Sequence, residues 1–266
     1  MKHDLKIAWL QADLIWEDAQ ANRNSFEKKI SFIERDCDLI VLPETFNTGF
    51  PVDPKIFAES INGETLNWMQ QMAQRTGAVI TGSLLIESNG NFSNSLIWMR
   101  PDGSFERYDK RHVFSMGGEN ERIKAGENHL FVELNGWKIK PMICYDLRFP
   151  VWSKNKYAGE TFNYDLAVYV ANWPAVRSYP WRQLLIARAI ENIACVVGIN
   201  RVGVDGPGNA YSGNSMFIDA KGSVLEEASG GIEKAISVNL SAEEILDFRK
   251  KFNVGLDWDG FEIKQE

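Results

Sequence analysis

Cys144 closes the largely apolar run Ile139-Lys140-Pro141-Met142-Ile143 and is followed at once by Tyr145-Asp146-Leu147-Arg148-Phe149-Pro150. A strand that stops at a cysteine and turns into a helix start sets the sulfur on a sharp bend. There, backbone N–H groups and the helix N-terminus favour a thiolate and a developing oxyanion, so the chemistry on offer is nucleophilic attack. The plainer reading of the same residue is a buried small hydrophobe. Leu42-Pro43-Glu44 delivers a carboxylate at a strand end, ahead of the aromatic, glycine-containing loop Thr45-Phe46-Asn47-Thr48-Gly49-Phe50. Tyr108-Asp109-Lys110-Arg111-His112-Val113-Phe114 sets a lysine among mixed charges and aromatics. Singly, these two read equally well as a solvated strand-end acid and a surface cation. The order Leu-Pro-Glu, Asp-Lys, Cys-Tyr-Asp is what is specific.

The elements that must position them alternate between short apolar, β-branched runs and helix-length amphipathic segments, which reads as α/β. Strands are expected over 5–12, 38–44, 78–86, 91–100, 138–146, 166–171, 194–200, 214–219 and 235–240. Helices are expected over 22–34, with Asn24 as a candidate cap, and over 63–76 and 179–192. A further helix starts at Ser241, where Ser241 and Glu244 form a capping-box pattern. Turns fall at Pro101-Asp102-Gly103 and Lys221-Gly222, and 110–127 reads as a long polar loop. No linker or repeat divides the chain. One domain over 1–266 is expected, with its core at about 5–240 and a C-terminal helix and tail over 241–266.

Composition narrows the partners. The chain has 266 residues, 44% hydrophobic and 24% charged, and a formal net charge of -7. These are ordinary globular proportions, and the acidic balance gives no global attraction for nucleic acid or anionic lipid. Three cysteines, Cys37, Cys144 and Cys195, make no disulfide framework and show no metal-ligand spacing. The start, Met1-Lys2-His3-Asp4, has no signal-peptide core, and no run approaches the roughly 20 apolar residues of a membrane helix. A cytoplasmic setting is expected, where a free thiol survives. No metal and no cofactor are expected, since neither ligand clusters nor a phosphate-binding glycine loop is present.

At Leu42-Pro43-Glu44, Asp109-Lys110 and Cys144-Tyr145-Asp146 the chain resembles the nitrilase superfamily of carbon–nitrogen hydrolases. The likeness runs from Leu5 to about Leu240 and includes Val170-Ala171-Asn172-Trp173-Pro174 and Arg188-Ala189-Ile190-Glu191-Asn192. It implies an α-β-β-α sandwich that forms a four-layer assembly, with catalytic residues at strand ends, in homodimers or larger homo-oligomers. It implies Cys144 as nucleophile, Glu44 as general base and Lys110, with the Tyr145 backbone N–H, as oxyanion stabiliser. A lone thiol is only about a few per cent ionised at neutral pH, so this division of labour is chemically sound. A second glutamate before a turn glycine is also implied. Glu119 fits best by its distance from Gly126, with Glu121 as the alternative; its task would be to position Lys110 and the substrate nitrogen.

Within that superfamily, the runs around Lys110 and Cys144 together with Ala171-Asn172-Trp173-Pro174 resemble the omega-amidase branch. Those enzymes cleave the terminal amide of 2-oxo dicarboxylic acid monoamides such as 2-oxoglutaramate and 2-oxosuccinamate. An arginine suits the distal carboxylate; Arg148 is the first candidate and Arg177 the second, although Arg148 reads equally as half of a structural ion pair. Trp173 and Phe46 are candidate pocket walls, with core packing as the plainer role. An N-carbamoyl compound or a nitrile would suit the same triad, and a non-catalytic interaction protein on this scaffold is the alternative of another class. Cys37 and Cys195 read as packing, His112 as a supporting residue, and His3 and His129 as patternless.

Overall fold

The computed structural model of the protein describes residues 3–33, 36–51, 53–228 and 230–264. Strand β1 (Leu5–Gln11) sends Leu5, Ile7 and Trp9 into one apolar cluster and Ala8 and Leu10 into another. Side chains alternate across a strand, so a strand buried on both faces lies between two packed layers. The same split recurs in β2 (Leu39–Val41), where Leu39 and Val41 join the first cluster and Ile40 the second. β1 and β2 pair in parallel, and β2 pairs in parallel with β3 (Val79–Ser88). β4 (Asn91–Met99) and β5 (Phe105–Asp109) extend this sheet by antiparallel pairing.

A second sheet contains β6 (Val132–Leu134), β7 (Trp137–Ile143), β10 (Leu166–Ala171), β11 (Cys195–Asn200), β14 (Ser215–Ile218) and β15 (Val224–Ala228), in the order β15-β14-β11-β10-β7-β6. Two small hairpins, β8 (Tyr157–Ala158) with β9 (Thr161–Phe162) and β12 (Val202–Val204) with β13 (Ala210–Ser212), lie outside it. The chain then returns as β16 (Lys234–Leu240) beside β1, completing the order β16-β1-β2-β3-β4-β5. The sheets face each other: the Trp9 and Phe217 rings stack across the gap with centroids 5.8 Å apart.

Helices cover the outer faces. Phe26 and Ile30 of α1 (Ala19–Ile30) pack on the outside of the first sheet with Leu66, Met69 and Met72 of α3 (Glu64–Thr76), near the short α2 (Pro54–Phe57). On the second sheet a short α4 (Pro150–Ser153) precedes α5 (Ser178–Asn192), which comes so close that a Cβ on Gly198 would lie 2.4 Å from Leu185 Cδ1. A final helix, α6 (Ala242–Lys251), is capped by the Ser241 hydroxyl, which accepts from the Glu244 N–H at 3.3 Å. The expected α-β-β-α arrangement is what this chain adopts. Among the described residues no helix is long and apolar enough to cross a membrane.

Two local expectations need correction. Helix α1 begins earlier than expected because Asp18, not Asn24, caps it, accepting from the Ala21 N–H at 2.9 Å. Glu34, the expected helix end, and the tail residues 265–266 lie outside the described residues. Strand β5 was not expected from its charge-rich sequence Phe-Glu-Arg-Tyr-Asp. Its charges are satisfied laterally, with Arg107 Nε 2.7 Å from Asp109 Oδ1 and Arg100 Nη2 2.8 Å from Glu106 Oε1, so pairing with β4 leaves none stranded.

Candidate active site

Sites in open α/β sheets gather beyond the carboxyl ends of parallel strands, and here two sheets bring such ends together. Cys144 follows the last residue of β7 and takes φ +43°, a left-handed conformation rare for a residue with a Cβ. It opens a short 3₁₀ turn, Cys144–Arg148. Buried Asp146 braces the bend: its carboxylate accepts from the Ile143 N–H at 3.0 Å, the Tyr108 hydroxyl at 2.7 Å and the His112 N–H at 3.0 Å. His112 Nδ1 lies 2.8 Å from the same carboxylate, and its ring stacks on Phe149 at 3.7 Å. His112 therefore supports the bend from behind.

The thiol itself differs from expectation. The bend was expected to favour a thiolate, but burial first, and then the charge of Glu44, push the Cys144 pKa well above the ordinary thiol value. Lys110 pulls the other way without prevailing. The sulfur lies 3.9 Å from the carbonyl oxygen of Asn172.

Glu44 lies three residues past β2 and is fully buried. Its Oε1 accepts from Lys110 Nζ at 2.9 Å and Asn94 Nδ2 at 2.8 Å, and its Oε2 accepts from the Asn172 backbone N–H at 2.7 Å. Lys110 immediately follows β5 and also donates to both oxygens of Glu119, at 3.1 and 3.0 Å. Burial alone would lower the lysine pKa, yet Glu119 and Glu44 overcome that and hold it above the ordinary value. Glu119 is anchored in turn by the Phe114 N–H. Of the two loop glutamates, Glu119 is buried against Lys110 whereas Glu121 is exposed. Gly126 matters here for closeness: a Cβ would stand 2.1 Å from the Asp109 carbonyl oxygen, and its N–H donates to Lys110 O at 2.8 Å. Gly126→Ala is expected to destabilise the fold by about 1–3 kcal/mol, as overpacking does, and to lower activity further by displacing Lys110. Thermal melts and initial rates measure the two effects separately.

A cavity of about 570 Å³ opens on these groups, and Glu44, Lys110, Cys144, Tyr145, Arg148 and Trp173 all line it. Phe46 does not. It is fully buried between Phe26 and Trp68 on the helix-covered face of the first sheet, because the chain turns outward after Glu44, and Phe50 takes the place at the cavity wall. Arg148 makes no ion pair among the described residues; its guanidinium lies over the Trp173 ring at 4.8 Å. Among the described residues no cluster of His, Cys, Asp and Glu is arranged to hold a metal ion.

Sequence reasoning missed the bracing residues. Asn172 ties the two sheets together at this point: besides its N–H bond to Glu44, its Nδ2 donates to Glu44 O at 2.8 Å and to Thr45 Oγ1 at 2.7 Å. Thr45 is held at φ +40°. Asn172 ends the strand-like run Val170-Ala171, so its place at a strand tip was the available signal. Asn94 and Asp146 gave none, because their roles depend on a neighbour 50 or 38 residues away.

Residues 6–250 match the carbon–nitrogen hydrolase family. The Omega-amidase YafV of Yersinia enterocolitica is 44% identical over 259 residues, 97% of this chain and 98% of that one. A 2-oxoglutaramate amidase of Bacillus subtilis is 31% identical over 252 residues, 93% of this chain and 95% of that one. Among solved structures, XC1258 from Xanthomonas campestris, described as a CN-hydrolase superfamily protein with an arsenic adduct in its active site, superposes with a TM-score of 0.95 at 40% identity, covering 98% of this chain and 100% of that one.

Proposed function

Because the chain belongs to the carbon–nitrogen hydrolase family and is a hydrolase of carbon–nitrogen bonds in linear amides, we propose that it is an omega-amidase in which Cys144, Glu44, Lys110 and Glu119 do the chemistry. The observation that supports the assignment of roles is convergence: a nucleophile, a carboxylate and a buried cation from three strand ends open onto one cavity.

Glu44 takes the thiol proton as sulfur attacks the amide carbon, and then gives that proton to the departing nitrogen, so ammonia leaves and a thioester remains. Water enters, Glu44 removes its proton, hydroxide attacks the thioester, and the carboxylic acid departs as the thiol regains its hydrogen. Lys110 and the Tyr145 N–H, at the start of a 3₁₀ turn where N–H groups lack intrahelical partners, hold the oxyanion in both tetrahedral intermediates. One such donor is worth about 3–4 kcal/mol of barrier. Glu119, by its bonds to Lys110, keeps that cation in place.

The substrate is a 2-oxo dicarboxylic acid monoamide, 2-oxoglutaramate or 2-oxosuccinamate, held at its distal carboxylate by Arg148 over Trp173. Relatives named as omega-amidase and as 2-oxoglutaramate amidase support this. The enzyme acts in the cytoplasm as a homodimer or larger homo-oligomer built from one domain over 1–266; three free cysteines suit the compartment, and the family resemblance suits the assembly. Ammonia release across a panel of amides, N-carbamoyl compounds and nitriles tests the reading. The 2-oxo monoamides should exceed uncharged aliphatic amides of similar size by at least about tenfold in kcat/KM, about 1.4 kcal/mol of transition-state binding. N-carbamoyl compounds or nitriles as the best substrates would overturn the omega-amidase assignment, and no turnover of any compound would favour a non-catalytic scaffold.

A further inference from the structure

The cavity holds more unspent cationic donors than one carboxylate requires. Arg148 and Arg177 both line it, and among the described residues neither guanidinium donates a hydrogen bond or enters an ion pair. Each instead lies against an aromatic ring, Arg148 over Trp173 at 4.8 Å and Arg177 over Phe114 at 5.5 Å. Trp173 touches both residues: its face carries the Arg148 guanidinium, and its Nε1 donates to the Arg177 backbone carbonyl oxygen at 2.7 Å. The two carboxylates that line the same cavity are already occupied, Glu44 by Lys110 and Asp205 by the Tyr211 hydroxyl at 2.8 Å and the Asn209 side chain at 2.9 Å. Neither is spoken for by an arginine. A guanidinium fork pre-oriented by an aromatic face and left with free N–H groups is built to bind a planar acceptor bidentately.

Two such forks lining one cavity suit a ligand whose acceptors form a single extended planar edge. A 2-oxo acid has that edge: two carboxylate oxygens and a ketone oxygen in one conjugated plane. A simple dicarboxylic acid monoamide lacks the third acceptor. We propose that Arg177 is a specificity-determining residue that reads the 2-oxo oxygen together with the near edge of the carboxylate, while Arg148 takes the carboxylate itself. The inference rests on the omega-amidase reading and specifies which monoamides that site prefers.

Arg177 also touches the catalytic machinery at one remove. Phe114, beneath its guanidinium, donates its backbone N–H to Glu119, which holds Lys110. A purely structural role at that contact would therefore depress turnover of every substrate alike, and the test must separate the two. The assay compares three amides on the full-length enzyme: 2-oxoglutaramate, glutaramate, which lacks only the ketone, and butyramide, which lacks the charge as well. Arg177→Met keeps bulk against Phe114 while removing the fork. It should lower kcat/KM for 2-oxoglutaramate at least about tenfold more than for glutaramate, the size of discrimination expected when a site loses a bidentate donor to one substrate acceptor, and leave butyramide within about threefold of wild type. Arg177→Lys should restore little of the preference, since an ammonium cannot present a planar fork. Equal losses on 2-oxoglutaramate and glutaramate would make Arg177 a carboxylate contact only, and equal losses on all three would make it structural; either outcome overturns the proposal. A wild-type enzyme that treats butyramide as well as both charged amides would instead overturn the omega-amidase reading, whatever Arg177→Met does.

Discussion

Cys144→Ser is expected to abolish ammonia release from 2-oxoglutaramate, kcat falling by at least about a thousandfold, as when a nucleophile that works as part of a unit is removed. The reason lies in the proton. Burial and the Glu44 charge push the Cys144 thiol pKa up, so attack depends on the carboxylate taking the proton as the bond forms. A hydroxyl is far less acidic than a thiol, and a carboxylate is too weak a base to make up the difference. The substitution barely changes volume, and the bend at this position, with φ +43°, is spanned by a hydrogen bond from the Ile143 N–H to Asp146 that does not involve the sulfur. The thermal midpoint should therefore stay within a few degrees of wild type. Glu44→Gln should reproduce the loss of turnover, while iodoacetamide should still label Cys144 first in wild type and variant alike. Cys37, pushed up to about 11 by burial, and Cys195, pushed up to about 12 by burial, should remain slow in both proteins. A serine variant retaining a tenth of wild-type activity would move the nucleophile elsewhere.

The parts of this site that were legible in the sequence are those that chain-local rules determine. β7 shows its end by the change from apolar residues to Tyr-Asp at Cys144, and β2 shows its own by Pro43 before Glu44. Glu119 was separable from Glu121 only by its spacing to Gly126, and the structure gives that spacing a cause: Gly126 passes against the Asp109 carbonyl and bonds Lys110, closing the loop that returns Glu119 to the lysine. What stayed hidden depends on meetings between distant segments. Phe46 and Phe50 are both aromatic residues in one loop, and nothing in their order says which turns toward α1 and α3 and which toward the cavity. Asp146 looks like an ordinary acid after a cysteine until Tyr108 and His112, from the far end of the other sheet, arrive to donate to it. The same holds for β5, whose charges argue against a strand until their lateral partners are known.

Lys110→Met is expected to cost stability as well as activity, and the two losses should respond differently to pH and to a second substitution. Lys110 is the shared cation of two buried carboxylates, Glu44 and Glu119, with side chains no more than 1% exposed. Removing one partner of a buried ionic cluster typically costs about 3–5 kcal/mol, because the remaining charge has lost both water and its counter-ion. In wild type the lysine pKa is held above its ordinary value of 10.5. Its contribution to stability is therefore complete below the unfolded-state value and fades only as pH rises through the folded one, so the lysine itself adds no pH dependence near neutrality. In Lys110→Met the stranded carboxylates resist ionisation, and their folded pKa values rise above the unfolded ones. The native state then binds protons more readily than the unfolded chain, and the variant should recover stability relative to wild type as pH falls from about 8 to 5. Adding Glu119→Gln should return much of the lost stability by removing one of the two charges, yet leave kcat lower than wild type by at least about a hundredfold, since the oxyanion still lacks its cationic donor. Denaturant titrations at several pH values, read beside initial rates, check both halves. A Lys110→Met protein as stable as wild type at every pH would mean that the carboxylates do not depend on this lysine, and the charge arrangement argued for the site would have to be abandoned.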